Sequence, residues 1–286
     1  MHLQERIMLN HKYKNILQSL VILGLMTLLL WALAYSLFGS NTLLYLLGAG
    51  LFIFIINPAV SHRIVLRVRG AREMTRFNAP MLYNLLSDLA AGANLENLPR
   101  LYLYPSRTLN AFSFGSQHNS VIALSENMLH FLTPRELQGV LAHETGHIRN
   151  NDMLLLGISR GISWFTSVLS ATGLVLLLIS LPLFLLDTAV ITLPGLLLLI
   201  TAPVFSRLLW FTLSRTREYQ ADIAAVELTG DPGGLALALQ KIQYQPFSVL
   251  GFLFFPRQNH EQPTAYSTHP AVSERIKRLG QFTDSW

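Results

Sequence analysis

The 286-residue chain has no cysteine, which excludes a disulfide framework and suits a reducing compartment. Charge is nearly as scarce. Only 13% of residues are Asp, Glu, Lys or Arg, against about a quarter in ordinary soluble domains. Hydrophobic residues make up 51% and the mean hydropathy is +0.39, which points to a membrane protein. No Gly-rich phosphate loop, internal repeat or low-complexity linker is present.

The missing charge is concentrated in runs. No charged residue lies between Lys14 and Arg63, and two spans fit there, about Leu17–Phe38 and Leu43–Ile56, with a turn at Gly39-Ser40-Asn41. The second run is brief for a full crossing, although weakly polar flanks can extend it. Gly161–Leu186 and Thr188–Ser206 are also charge-free and are separated by Asp187 alone, as expected for a third and fourth span. Pro182, Pro194 and Pro203 leave a shallow re-entrant hairpin open for this pair, but its length favours two crossings. Ala32-Leu33-Ala34 resembles a signal-peptidase site. The apolar stretch before it is long for a signal core, and a second span follows at once, so an uncleaved membrane anchor is the stronger reading.

The loops within both hairpins carry no lysine or arginine, whereas basic residues gather at the outer ends. Arg6, Lys12 and Lys14 precede the first span, and Arg63, Arg67, Arg69, Arg72 and Arg76 follow the second. Arg149 and Arg160 precede the third, and Arg207, Arg215 and Arg217 follow the fourth. This bias places both termini and the polar segments in the cytoplasm. The net charge of +5 is then a collar against anionic lipid and not a nucleic-acid footprint. The expected organisation is a transmembrane hairpin at 1–57, a first catalytic part at 58–160, a second hairpin at 161–206 and a second catalytic part at 207–286. Neither polar piece alone is long enough for a comfortable core, while together they approach normal domain size.

The chemistry starts at His143-Glu144-Thr145-Gly146-His147. Thr133-Pro134-Arg135-Glu136 reads as a capped helix start, and Leu137, Val140, Leu141, Glu144 and Ile148 continue at helical spacing. Two histidines four apart share a helix face and can aim imidazole nitrogens at one zinc ion, with Glu144 near the attacking water. By chance alone this pattern arises about once in a hundred chains of such composition. A catalytic zinc needs a third protein ligand, and Arg217-Glu218-Tyr219-Gln220-Ala221-Asp222 offers one. Glu218 and Asp222 share a face, so Glu218 can reach the metal while Asp222 orients a ligating histidine.

Elsewhere, Leu82, Leu85, Leu86 and Leu89 suggest an amphipathic helix between Pro80 and Gly92. Leu101–Tyr104, Leu109–Phe114 and Val121–Leu124 read as strands, the last two flanking a hairpin-like loop at Gly115–Ser120. Such a sheet could add a peptide as an extra strand or be a plain structural hairpin. Gly251–Phe255 could touch lipid or belong to the core. His269, taken alone, reads as an uninvolved loop residue. A final amphipathic helix carries Ser273, Glu274, Arg275, Ile276 and Leu279.

Taken together, the N-terminal hairpin, Asn110-Ala111-Phe112, the His-Glu-x-x-His helix, the second hairpin, Arg217-Glu218-Tyr219-x-Ala221-Asp222 and Thr268-His269-Pro270 leading to Glu274-Arg275 form an ordered set. On these residues the chain resembles the HtpX-type membrane zinc peptidases, relatives of the CAAX prenyl-protein protease, over nearly its whole length. The resemblance implies a mainly α membrane protein: about four transmembrane helices with a zincin-like (gluzincin) catalytic domain that includes a small β-sheet. It implies one Zn2+ per chain held by His143, His147 and Glu218, with Glu144 as general base and Asp222 behind a ligating histidine. Asn110 would hold substrate backbone, His269 would stand near the scissile carbonyl and Arg275 would brace the site. Tyr219 is a second, weaker candidate for the oxyanion, because it lies about 100° around the helix from Glu218. Thr145 occupies a position where relatives often carry an aliphatic residue, and that position points away from the metal.

The implied substrates are proteins or peptides, misfolded membrane proteins among them, and the implied location is the bacterial inner membrane. A zinc-stabilised scaffold without turnover is one competing class. A metal transporter is another, ranked low because the spans contain no internal carboxylate or histidine.

Overall fold

The computed structural model describes residues 3–56, 62–184, 193–243 and 270–282. Helix α1 (Leu3–Phe38) leads through a 3-10 turn (Gly39–Asn41) into α2 (Thr42–Ile56). The chain reverses at Gly39, whose φ of +56° is left-handed, a region glycine enters without penalty. Phe38 and Tyr45 stack across the reversal with ring centroids 4.1 Å apart. Much later come α7 (Asp152–Phe184) and α8 (Leu193–Thr229). Three stretches among the described residues are long and apolar enough to cross a membrane: Lys12–Phe52, Asp152–Ile179 and Leu193–Thr229. The expectation of about four crossings is thereby sharpened. At 15 residues, α2 is about 22 Å long, short of the roughly 30 Å hydrocarbon core. It leans on α7, where Phe52 stacks on Trp164 at 5.8 Å.

One face of each long helix packs inward and the other stays apolar and exposed. Ile22, Met26 and Leu30 of α1 meet Ile162 of α7 and Leu213 of α8, and Leu33 meets Leu199 and Ala202. Leu20, Leu28, Ile179 and Ile200 are each more than half exposed on the outer faces, as lipid contact requires. Pro203 sits inside α8 without breaking it. A proline supplies no N–H to the carbonyl four residues earlier, here that of Leu199. The Ser170 hydroxyl donates to that carbonyl from α7, replacing the lost bond with an interhelical one.

The remaining elements form a domain with one core. They are α3 (His62–Val68), β1 (Arg72–Glu73), α4 (Pro80–Gly92), β2 (Arg100–Tyr104), β3 (Ala111–Ser116), β4 (Asn119–Ser125), α5 (Glu126–Phe131), α6 (Pro134–Arg149), α9 (Pro232–Gln243) and α10 (Val272–Gly280). The strand order is β1-β2-β4-β3, with β2 and β4 parallel and the other pairs antiparallel. Among the described residues, that leaves β3 as a sheet edge. Core residues come from both sides of the membrane helices: Leu86, Ile122 and Leu141 before them, Val226, Leu239 and Leu279 after. One hydrophobic core therefore unites two pieces that the sequence separates.

Helix α6 runs through the middle of this core. Its start is a capping box: Glu136 N donates to Thr133 Oγ1, and Thr133 N donates to Glu136 Oε2 at 2.7 Å. It ends at Asn150 and Asn151, the latter at φ +53°, so the chain turns before α7 begins. Arg135 holds α9 in place with a fork to Asp231, at 2.6 and 2.8 Å, and Asp231 Oδ1 also accepts from Gly233 N and Gly234 N. Backbones touch at this crossing: a Cβ on Gly139 would lie 2.6 Å from Leu235 N. Gly139→Ala therefore forces α6 and α9 apart and should lower stability by about 1–3 kcal/mol, read as a lower melting temperature of the detergent-solubilised protein.

Candidate active site

Four helices deliver the polar residues. Helix α6 brings His143, Glu144 and His147; α8 brings Glu218 and Asp222; α7 begins with Asp152; and α10 brings Arg275. All seven are buried. The α6–α8 approach depends on Gly146, where an added Cβ would sit 2.8 Å from the Ala224 methyl and 3.2 Å from the Ala221 carbonyl oxygen.

His143, His147 and Glu218 converge so closely that one ligand atom from each lies within 4.8 Å of the others. The two Nε2 atoms are 3.1 Å apart, and Glu218 oxygens lie 3.6 Å from His143 Nε2 and 3.7 Å from His147 Nε2. Metal–ligand bonds of about 2.0–2.1 Å in a tetrahedron separate ligand atoms by roughly 3.3 Å, close to these spacings. The opposite ring nitrogens are both held by carboxylates. His147 Nδ1 is 2.7 Å from Asp152 Oδ2, and His143 Nδ1 is 3.0 Å from Asp222 Oδ1. A carboxylate at Nδ1 keeps the proton there, so each Nε2 presents a lone pair. Two lone pairs facing each other need a cation between them. The donor set therefore fits a divalent metal.

Without a cation between the rings, the same carboxylates favour a protonated imidazole, whose proton a metal would displace. Burial pulls the His147 imidazole down, but the Asp152 hydrogen bond and charge, with Glu218 and Glu144, outweigh it and push the ring up to about 9. Arg275 is buried, which opposes its charge, yet Asp222 and Glu218 hold it firmly protonated. Its Nε and Nη2 fork onto Asp222 at 2.9 and 2.6 Å, and Nη1 reaches Glu218 Oε2 at 3.2 Å. One guanidinium thus fixes a metal-ligand carboxylate and the carboxylate behind a histidine.

Asp152 had no expected role, and Arg217, counted with the basic collar, is instead buried at this site. Asp152 stands five residues beyond His147, a spacing that points elsewhere on a continuous helix. The left-handed Asn151 swings it back under the ring. Arg217 grips Asp152 from α8 through Nε and Nη2 and donates from Nη1 to Gln220 Oε1 at 2.7 Å.

A cleft of about 530 Å³ opens over the cluster, lined by His143, Glu144, His147, Glu218 and Arg275 together with β3 residues Ala111 to Phe114. Asn110 also lines it, exposed, with its backbone pinned: Tyr104 Oη and Ser125 N donate to its carbonyl, and its own N–H donates to Ser125 Oγ. Tyr219 is a correction. Its ring lies under Arg278, 3.6 Å from centroid to guanidinium carbon, in a second cavity, and it is not among the residues lining the cleft. The one-residue step from Glu218 turns it off the metal face. His269 and Gly251–Phe255 lie outside the described residues.

The model of Peptidase family M48 matches residues 78–283, which contain every element of this cluster. The chain belongs to peptidase family M48. It is 30% identical to a Protease HtpX homolog of Methylibium petroleiphilum, over 93% of this chain and 96% of that protein. It is 32% identical to one from Streptococcus pyogenes, over 77% and 79%. Among solved structures, the crystal structure of S. mikatae Ste24p aligns over 94% of this chain and 66% of its own, at 18% identity and a TM-score of 0.49. This M48 peptidase is a bacterial multi-pass membrane protein and a zinc metalloendopeptidase.

Asp152→Asn should lower zinc affinity by about 10–100-fold, measured by competition with a chelator, because the His147 tautomer is no longer held. Tyr219→Phe should change that affinity by less than about twofold, because the ring lies off the metal face.

Proposed function

We propose that the chain hydrolyses peptide bonds at the cytoplasmic face of the membrane, on misfolded membrane proteins, with one zinc ion held by His143, His147 and Glu218. The observation that carries this reading is the convergence of those three ligand atoms beside Glu144 in a cleft walled by an edge strand. Bound there, zinc acts as a Lewis acid toward the substrate carbonyl and brings water toward ionisation near neutral pH.

The chain's own residues do the rest. Substrate enters extended beside β3, whose free edge offers backbone hydrogen bonds, and the Asn110 side chain holds a further backbone group. Glu144 takes the proton of the attacking water and delivers it to the departing amine. His269 donates to the oxyanion of the tetrahedral intermediate. Asp152 and Asp222 keep both imidazoles in the ligating tautomer, and Arg275 holds Asp222 and Glu218 in register. Asp152, Glu218 and Asp222 stand on α7 and α8, two helices long and apolar enough to cross the membrane, which suits substrates delivered from the bilayer.

Two measurements test the reading. Glu144→Gln should retain about one zinc per chain and lose about 10²–10⁴-fold in turnover of a casein-like substrate, the usual worth of a general base. Near-normal cleavage by the zinc-loaded variant would remove Glu144 from this role. For the orientation, a reporter active only outside the cytoplasm, fused after Trp286, should stay silent, as the basic collars require.

A further inference from the structure

Helices α1, α8 and α10 enclose a second cavity of about 470 Å³. It is separate from the catalytic cleft. Asp222 stands in its wall and Arg275 in the wall of the cleft, so their ion pair lies between the two spaces. Its charged lining consists of Lys14, Arg215, Arg278 and Asp222. Asp222 is already engaged by two bonds from Arg275 and by His143 Nδ1. Three cations therefore line one space, and one of them, Arg278, also pairs with Glu274 outside the lining. Arg278 is held in a fixed plane: Tyr219 lies under it, and Nη2 donates to Glu274 Oε1 at 2.9 Å. A guanidinium pre-oriented in this way loses little freedom when it binds a tetrahedral oxyanion through two N–H groups.

The level of the cavity in the fold indicates what it meets. Lys14 is the last charged residue before the charge-free run to Arg63, and Arg215 lies on the neighbouring α8 just beyond its apolar half. Tyr13, 69% exposed, is an aromatic of the kind that marks a membrane–water interface, and Leu17, 64% exposed, begins the lipid-facing stripe. This is the depth of lipid phosphates. A divalent cation is disfavoured by the three like charges, and a wholly apolar ligand by the charged lining.

We propose that this cavity binds a phosphate group at the bilayer boundary. A phospholipid headgroup and free phosphate share that chemistry. The inference goes beyond the peptidase reading and does not depend on turnover.

The test follows thermal unfolding of the full chain in neutral detergent. Phosphatidylglycerol, phosphatidylcholine or inorganic phosphate is added at constant ionic strength set by chloride. Phosphatidylglycerol or phosphate should raise the melting temperature above the chloride baseline. A lipid site saturates near one phosphatidylglycerol per chain while inorganic phosphate acts only weakly. A free-phosphate site saturates with inorganic phosphate and gains nothing from the lipid. Lys14→Gln with Arg215→Gln should weaken the apparent affinity roughly fivefold for each cation removed. Arg207→Gln, exposed on α8 outside the cavity, should respond like the unsubstituted chain. If the double variant does not fold, Lys14→Gln alone, at an exposed position, carries the comparison. No rise with either ligand, an undiminished response in the cavity variants, or an equal loss in Arg207→Gln would overturn the proposal. Binding is read without cleavage, so its failure is distinguishable from failure of the peptidase reading.

Discussion

Charge balance in a desolvated space governs this structure. Glu144, Glu218, Asp222 and Asp152 are buried together with only two guanidiniums, those of Arg217 and Arg275, and two imidazoles whose outer nitrogens are already committed. With both imidazoles neutral, as ligation requires, four carboxylates against two guanidiniums leave two negative charges, the amount a divalent cation makes good. Removing any one partner strands a buried charge, at a cost of about 3–5 kcal/mol. That penalty explains why the cluster is closed on all sides by further polar contacts. Arg275 holds two carboxylates, Asp152 holds both a histidine and Arg217, and Gln220 takes a remaining guanidinium hydrogen bond.

Such a cluster tolerates little movement, and two of the four helices that carry it, α7 and α8, are long and apolar enough to cross the membrane. Glu218 lies on the helix that contains the Leu193–Ser206 apolar run, about 16 Å beyond Arg207 along the axis. Asp152 is the first residue of another membrane-length helix. The α6–α8 contact at Gly146 fixes how near the histidines come to Glu218, and packing of α1 along α8 fixes how α8 stands in the bilayer. Catalytic geometry and membrane packing are thus parts of one assembly of helices. The cationic cavity stands at the join between them, against the outer side of Asp222.

The cleft combines a rigid polar floor with an edge strand. β4 is buried through Ser120 to Ser125 and anchors β3 along its length, so β3, an edge strand among the described residues, lines the cleft without being floppy. Arg69, from the basic collar after α2, lies over the rings of Phe112 at 4.9 Å and Tyr104 at 5.5 Å. This arginine thereby stiffens the wall of the cleft.

The sequence by itself determined the elements and the donor set. Thr133 and Glu136 announced the start of α6, four-residue spacing put His143 with His147 and Glu218 with Asp222, and charge-free runs marked the long helices, because caps, helical period and hydropathy are local properties. Tertiary structure decided which faces meet. The left-handed Asn151 returned Asp152 to His147, and Arg217 proved to hold Asp152 across 65 residues of chain. Tyr219 turned into the second cavity instead of the cleft. These outcomes rest on a backbone break, on a helix rotation set by packing at Gly146 and on the three-dimensional need to pair buried charges. None of the three has a period that can be read along the chain.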